Sequence, residues 1–350
     1  MNGLVGGEST GHDERFMLRA LANGATVRYL SSPNPWVGAV LVANDGSVFD
    51  GATEAPGGRH AERVALDAAG AAAAGSTVYT TLEPCAHQGR TGPCSEALIA
   101  AGVARVVVGI EDPDLQVAGR GIDQLRAAGI DVTLGVEASA VQQQLDPYLH
   151  HRRSGRPWVV VKLAATLDGR TAAADGTSQW ITGTEARVDV HRLRAESDAI
   201  VVGAATVRSD DPSLTVRDWA PLTDRGPVRD PRRVVLGTAP ADARVHPCDC
   251  WDGPLDELLD HLGSLGVVQV LVEGGAGVAG SFVDAGLVNQ LVVYLAPALF
   301  GSFDARGMLD GVGAGTIAEL SRGEFTAVER LGQDVRIDYR PIDENNPGRR

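Results

Sequence analysis

Long apolar runs are missing from this sequence, and no stretch approaches the ~18 consecutive hydrophobic residues of a membrane span. Residues 1–14 have neither a basic start nor an apolar stretch. They do not read as a signal peptide, so the chain is expected in the cytoplasm. Cysteine is scarce, with four residues, and in a reducing compartment these are expected to be thiols or metal ligands rather than disulfides. Positive charge is in deficit: 31 Lys and Arg face 45 Asp and Glu, for a formal net charge of −14. Such a surface repels a phosphate backbone, and no basic stripe interleaved with aromatics is present. General nucleic-acid binding is therefore disfavoured, whereas a local basic pocket for one phosphate is compatible. The 43 glycines follow no collagen-like period, and no internal repeat is apparent.

The 350 residues suit two domains, and 44% hydrophobic content lets each bury a core. Apolar spacing predicts helices over residues 14–22, 60–74, 94–101 and 120–128. Strands fit 37–42, 76–82, 103–110 and 130–136. Asn44-Asp45-Gly46 signals a hairpin turn after the first strand. Alternating elements with short glycine turns imply a mainly parallel sheet covered by helices. The polar stretch 142–157 reads as the domain junction. A second α/β unit follows, with strands near 159–164, 199–203, 234–237, 267–272 and 291–296 and helices near 185–196, 255–265 and 278–286. Residues 238–254 read as a loop without a firm element.

His60-Ala61-Glu62 is followed by Pro84-Cys85 and then Cys94. Imidazole and thiolates are good zinc ligands, and three of them leave a fourth position open. Water at that position is acidified toward a pKa of ~7. Glu62, two residues from ligand His60, can flank the metal and move protons without binding it. This His-x-Glu, Pro-Cys, later Cys arrangement is the signature of zinc deaminases. A structural site would want a fourth protein ligand; His87 is available, but a Cys-x-His pair is cramped on one tetrahedral ion. Eight residues separate Cys85 from Cys94, where nucleic-acid editors have two.

With its flanks, Thr81-Leu82-Glu83-Pro84-Cys85-Ala86-His87-Gln88-Gly89-Arg90-Thr91-Gly92-Pro93-Cys94 resembles the deaminase motif of the bifunctional riboflavin-biosynthesis deaminase–reductase family. Pro33-Asn34-Pro35-Trp36-Val37-Gly38, Glu111-Asp112-Pro113 and Val117-Ala118-Gly119-Arg120-Gly121 fit as well. So do Lys162 with Leu167-Asp168-Gly169-Arg170, Ser178-Gln179-Trp180-Ile181-Thr182, Asp210-Asp211-Pro212 and Glu273-Gly274-Gly275. The resemblance spans roughly residues 14–340, with both halves in order. It implies an α/β fold in two parts: a cytidine-deaminase-like three-layer domain over 1–148 and a dihydrofolate-reductase-like domain over 156–343. The first would remove the 2-amino group of a phosphoribosylated diaminopyrimidinone, with His60, Cys85 and Cys94 holding zinc, Glu62 shuttling the proton and Asn34 contacting substrate. Asn34 also reads as a plain turn residue between two prolines. Thr53 and Ser32 stand where relatives carry His.

The second domain would reduce the sugar of the deaminated product to a ribityl chain with NADPH. By resemblance, Ala164, Trp180, Thr206, Asp210, Gly275, Ala276, Gly277, Val278, Ala279, Gly280 and Ser281 line the cofactor. Ser178, Arg194, Leu214, Arg217 and Glu273 line the substrate. Residues 275–280 also match G-x-G-x-x-G, but no acid ends the next strand, so a Rossmann reading fails. A tight ligand-free turn is the plainer reading of that glycine run. Arginine suits a phosphate chemically, though a lone Arg is more often solvated. Lys162 sits in an apolar strand, where an unpaired ammonium is costly, and is held as a catalytic or substrate-binding candidate. Cys248 and Cys250, with only His246 and Asp249 nearby, make a weak metal set, and a surface loop is the plainer reading. The resemblance also implies a homo-oligomer joined through the reductase domains, with residues 291–295 offering a strand to pair across a two-fold axis. Two other functions compete: a deaminase whose C-terminal half is only a scaffold, and a nucleic-acid editor or binder.

Overall fold

The structure is a computed structural model that describes residues 6–87, 92–114 and 117–342. Residues 88–91 of the deaminase motif and the outermost residues of both expected domains lie outside the described residues. The chain divides into two compact units, Met1–Gly155 with Pro221–Val228, and Arg156–Ala220 with Arg229–Arg350. No helix among the described residues is long and apolar enough to cross a membrane.

In the first unit, α1 (Gly6–Ala25) and α2 (Arg28–Ser31) precede a hairpin of β1 (Gly38–Val42) and β2 (Val48–Ala52). Then come α3 (Ala61–Ala69), β3 (Thr77–Leu82), α4 (Cys94–Ala100), β4 (Arg105–Ile110), α5 (Arg120–Ala127), β5 (Asp131–Leu134) and α6 (Ala138–Ser154). One sheet results, in the order β2-β1-β3-β4-β5. The last three strands are parallel, and β1 runs antiparallel to both neighbours. Val106, Val107 and Val108 in β4 are fully buried, as a strand covered on both faces requires. Helix α1 packs with α6, and α4 with α3 and α5, so helices flank the sheet in two layers. Gly38 permits the close approach of α1 to β1: a Cβ there would lie 1.7 Å from the Ala20 carbonyl oxygen.

The stretch 142–157, read as the domain junction, holds the boundary between the units at Gly155 and Arg156, but most of it is α6 rather than irregular chain. Val141, Leu145, Tyr148 and Leu149 are buried on one face, while Gln143, Arg152 and Arg153 cover the exposed one. Gly155, at φ 74°, ends the helix in a left-handed conformation that glycine adopts freely.

The second unit contains β6 (Trp158–Thr166), β7 (Arg170–Ala172), α7 (Thr184–Ala195), β8 (Ala199–Gly203), α8 (Ala204–Asp210), β9 (Arg232–Leu236) and β10 (Asp249–Trp251). It continues with α9 (Leu255–Ser264), β11 (Gln269–Val272), α10 (Ala276–Asp284), β12 (Gln290–Ala296), β13 (Arg306–Gly307), β14 (Gly323–Leu331) and β15 (Asp334–Pro341). Eight strands form a sheet in the order β10-β9-β8-β11-β6-β12-β15-β14. Pairing is parallel from β10 to β12 and antiparallel beyond. Alternate residues of β6 feed two cores, Trp158 and Val160 one, Val159 and Val161 the other. Two expectations fail here. The 238–254 loop contains an edge strand, β10. And residues 291–295 cannot pair across a two-fold axis, because β12 is already bonded to β6 and β15; the edge on that side of the sheet is β14.

Candidate active sites

The first site gathers at the starts of two helices. His60 is the N-cap of α3, Cys94 is the first residue of α4, and Cys85 sits in the loop after β3. A helix N-terminus carries partial positive charge and favours thiolate. His60 Nδ1 lies 3.5 Å from Cys85 Sγ and 3.4 Å from Cys94 Sγ. The Cys94 amide donates to Cys85 Sγ at 3.3 Å. The three ligand atoms all lie within 4.8 Å of one another, so one ion can be held by all three. Hydrogen bonding from Cys94 and His60 lowers the Cys85 thiol to about 4. Hydrogen bonding with Cys85, against burial, raises His60 to about 9. Glu62, 3% exposed on the first turn of α3, is pushed up to about 7 by burial.

His60, Glu62 and Cys85 line a cavity of about 420 Å³, and Asn34 lines it too. His87 also lines it but does not join the ligand group. Thr53 is buried with its hydroxyl committed: it accepts from the Val37 amide at 3.2 Å and donates to the Val37 carbonyl at 3.3 Å. It therefore anchors the end of the Asn34 loop to the end of β2.

Four lining residues escaped the sequence reading. Glu83 is buried and accepts backbone hydrogen bonds from Asp112, Gly119, Gly121 and Ile122, fastening the start of α5 to the end of β3. Gly121 makes this possible, since a Cβ there would lie 1.9 Å from the Pro84 carbonyl oxygen. Asp112 is raised to about 6 by burial and accepts from the Tyr148 hydroxyl at 3.2 Å and 3.3 Å. Arg152 stacks over the Tyr148 ring. Glu83 and Asp112 stood inside quoted motifs without a role; Tyr148 and Arg152 lay in the stretch read as the domain junction.

The second constellation lies at the C-terminal ends of parallel strands, the usual crevice of open α/β sheets. Glu273 follows β11 and forms a two-pronged ion pair with Arg194 of α7, at 2.6 Å and 2.9 Å. Arg194 also donates to the Thr215 carbonyl at 3.0 Å. Burial opposes the Glu273 charge, but Arg194 and Lys162 outweigh it and hold the carboxyl below its usual range. Lys162, on β6, is the only lysine in the chain. Burial lowers it and Glu273 opposes the shift. Arg217 is exposed, donates to Ser213 and Thr215 hydroxyls, and through its amide to His191 Nδ1 at 3.1 Å. Leu214 is buried in the core, so only its backbone faces the loop; it sits at φ 53°, a costly conformation for a bulky residue.

The expected cofactor residues divide. Gly275 is the N-cap of α10, and a Cβ on it would lie 3.8 Å from Thr206 Oγ1, so α8 and α10 start side by side. No side chain caps α10, leaving its first amides available to an anion. The 276–281 stretch is helix rather than loop. Ala276, Ala279 and Gly280 turn inward, with a Cβ on Gly280 only 2.3 Å from the Asp310 carbonyl oxygen, while Gly277 and Ser281 are exposed. Ala164 pairs with Tyr294 of β12. Asp210 ends α8, exposed. Ser178 and Trp180 lie on the 173–183 loop, with Trp180 72% exposed under the Arg187 guanidinium.

Comparison with known proteins bears on both halves. Residues 10–110 match the cytidine and deoxycytidylate deaminase zinc-binding region, and residues 157–337 match the RibD C-terminal domain. The chain is 42% identical to the riboflavin biosynthesis protein RibD of Escherichia coli K12, over 92% of this chain and 98% of that protein. It is 43% identical to that of Mycobacterium tuberculosis H37Rv, over 90% and 94%. Among solved structures, an Acinetobacter baumannii RibD aligns at 36% identity with a TM-score of 0.88, over 95% of this chain and all (100%) of the other. A Thermotoga maritima diaminohydroxyphosphoribosylaminopyrimidine deaminase/5-amino-6-(5-phosphoribosylamino)uracil reductase aligns at 29% with a TM-score of 0.84, over 95% and 100%. The two units have the cytidine-deaminase-like and reductase folds that the motifs implied, and the alternative of a deaminase alone is not favoured. The chain belongs to the RibD family of riboflavin biosynthesis proteins, which join a zinc-binding deaminase to an NADPH-dependent reductase.

Proposed function

We propose that the residues gathered above carry out two successive reactions. The first is hydrolytic deamination of 2,5-diamino-6-(5-phosphoribosylamino)pyrimidin-4(3H)-one. The second is reduction of the ribosyl chain of the resulting 5-amino-6-(5-phosphoribosylamino)uracil to ribityl. The observation that carries the first assignment is the His60–Cys85–Cys94 trio, whose His60 and Cys85 line one cavity together with buried Glu62.

In the deaminase, His60, Cys85 and Cys94 would hold zinc, which when bound acidifies water at its open position. Glu62, buried and with a carboxyl near neutrality, accepts a proton on its side-chain oxygen and delivers it to the exocyclic amine nitrogen, which leaves as ammonia. Asn34 hydrogen-bonds the pyrimidine, in a loop held by Thr53. Glu83 holds Asp112 and the 119–122 backbone in place, and Asp112 with Tyr148 completes the polar lining.

In the reductase, NADPH supplies the hydride. The α10 amides at Gly275, Ala276 and Gly277, with Thr206 opposite, suit its phosphates, and Val278, Ser281, Ala164, Trp180 and Asp210 are its remaining candidate contacts. Ala279 and Gly280 serve the packing of α10 instead. Lys162 binds the sugar beside the reacting carbon, with Glu273 and Arg194 setting its field. Arg217, exposed and held by Ser213 and Thr215, is the freer arginine for substrate phosphate, with Ser178 and the Leu214 backbone beside it.

We place the protein in the cytoplasm, where its free thiols and NADPH are compatible. Assembly is as a homo-oligomer through the second unit. The support is the edge strand β14, with Phe325 70% and Val328 62% exposed. The functional test is Glu62→Gln: zinc is retained and ammonia release falls by about two or more orders of magnitude. Ammonia release near the wild-type rate would remove Glu62 from this role.

A further inference from the structure

The stretch between β9 and α9 holds sulfur and imidazole donors that neither reaction uses. Strand β10 is the outermost strand of its sheet, bonded only to β9. Cys250 pairs in register with Val235, a member of the core cluster that Cys248 also packs against. Asp249 between them turns to the other face and pairs with Arg232, while Trp251 joins the opposite core. Both thiols therefore project on one side, Cys248 half-buried and Cys250 exposed. Burial, with Cys250 and Asp249 nearby, pushes the Cys248 thiol up.

His246 supplies a third donor. Its Nδ1 lies 3.4 Å from Cys248 Sγ, and its Nε2 lies 2.9 Å from the Pro240 carbonyl oxygen. A carbonyl only accepts, so Nε2 carries the hydrogen and Nδ1 turns its lone pair toward the thiol. A carbonyl on the far ring nitrogen is the usual way a metal-binding imidazole is oriented.

We infer that His246, Cys248 and Cys250 form a surface site for a thiophilic divalent metal ion of the zinc type, distinct from the His60, Cys85 and Cys94 trio. Two thiolates neutralise the dication, and one imidazole leaves a fourth position to water. Among the described residues only the trio has all its ligand atoms within 4.8 Å, so the exposed Cys250 side chain turns toward His246 as the ion binds. Ligands bind deprotonated, so uptake releases the Cys248 proton. A disulfide is the poorer use of the pair. Residues two apart on an extended strand have Cα atoms about 6.6 Å apart, close to the ~6.8 Å upper end of the disulfide range. The inference does not rest on the assignment of either reaction.

The test uses full-length protein, reduced with a phosphine and dialysed, then titrated with zinc against a chromophoric chelator while bound metal is counted by elemental analysis. Wild type takes up one more equivalent than the Cys248→Ser/Cys250→Ser variant, with ammonia release equal in both. His246→Ala lowers the affinity of that extra equivalent at least about tenfold. Equal uptake by wild type and the double variant overturns the inference, as does a Cys248–Cys250 disulfide that re-forms in place of metal uptake. If the double variant fails to fold, His246→Ala decides, and unchanged affinity there also overturns the site.

Discussion

At the scale of single residues, the deaminase site was almost fully legible. His60, Glu62, Cys85 and Cys94 stand at spacings that chemistry explains, and the fold brings them together. What was not legible is the lining contributed through tertiary packing, above all Asp112 against Tyr148. Asp112 makes a prediction about stability. Its carboxyl has a folded pKa of about 6 against a usual 3.8, raised by burial. Its contribution to stability is therefore fully present below about pH 3.8 and is lost as pH rises through about 6. Asp112→Asn should match wild type near pH 4 in urea unfolding and exceed it at pH 7 by up to about 3 kcal/mol. A difference independent of pH would mean that the carboxyl is not desolvated. Lys162 makes another. As the chain's only lysine, it is the only side-chain target of an amine-selective reagent. Lys162→Met should lower NADPH oxidation at least about a hundredfold and leave ammonia release unchanged; wild-type reduction by this variant would assign Lys162 a structural role.

At the scale of elements, periodicity found the alternating strands and helices because their apolar runs are buried on both sheet faces. It missed α6, whose polar exposed face and internal Pro147 disguise four buried apolar positions. It missed β14 and β15 as well: β14 is an edge strand exposed along most of its length, so no inward-outward alternation marks it. Close approaches between elements also lie beyond a pattern reading. Gly38→Ala should force α1 from β1, costing more than about 3 kcal/mol and lowering the yield of folded protein, because the clash is with backbone rather than a movable side chain. Normal stability in thermal unfolding would show that α1 shifts freely.

At the scale of the whole molecule, the two sites use residues of different units, so their mutations should act independently. The choice of variant matters. Glu273→Ala leaves Arg194 buried without its partner, a loss of about 3–5 kcal/mol, so it tests stability along with reduction. Glu273→Gln keeps the shape and is the cleaner probe. The edge strand β14 predicts an assembly larger than the 36.5 kDa chain, and sedimentation at micromolar concentration should show it; a Phe325→Glu/Val328→Glu variant should shift toward monomer.

The most direct test of two sequential activities on one chain is a coupled assay that follows ammonia and NADPH together. Given the phosphoribosyl diaminopyrimidinone and NADPH, wild type should release ammonia and oxidise an equal amount of NADPH. Glu62→Gln should do neither until the deaminated intermediate is supplied, and should then oxidise NADPH at the wild-type rate. Ammonia release by wild type with no NADPH oxidation, even from supplied intermediate, would contradict the account.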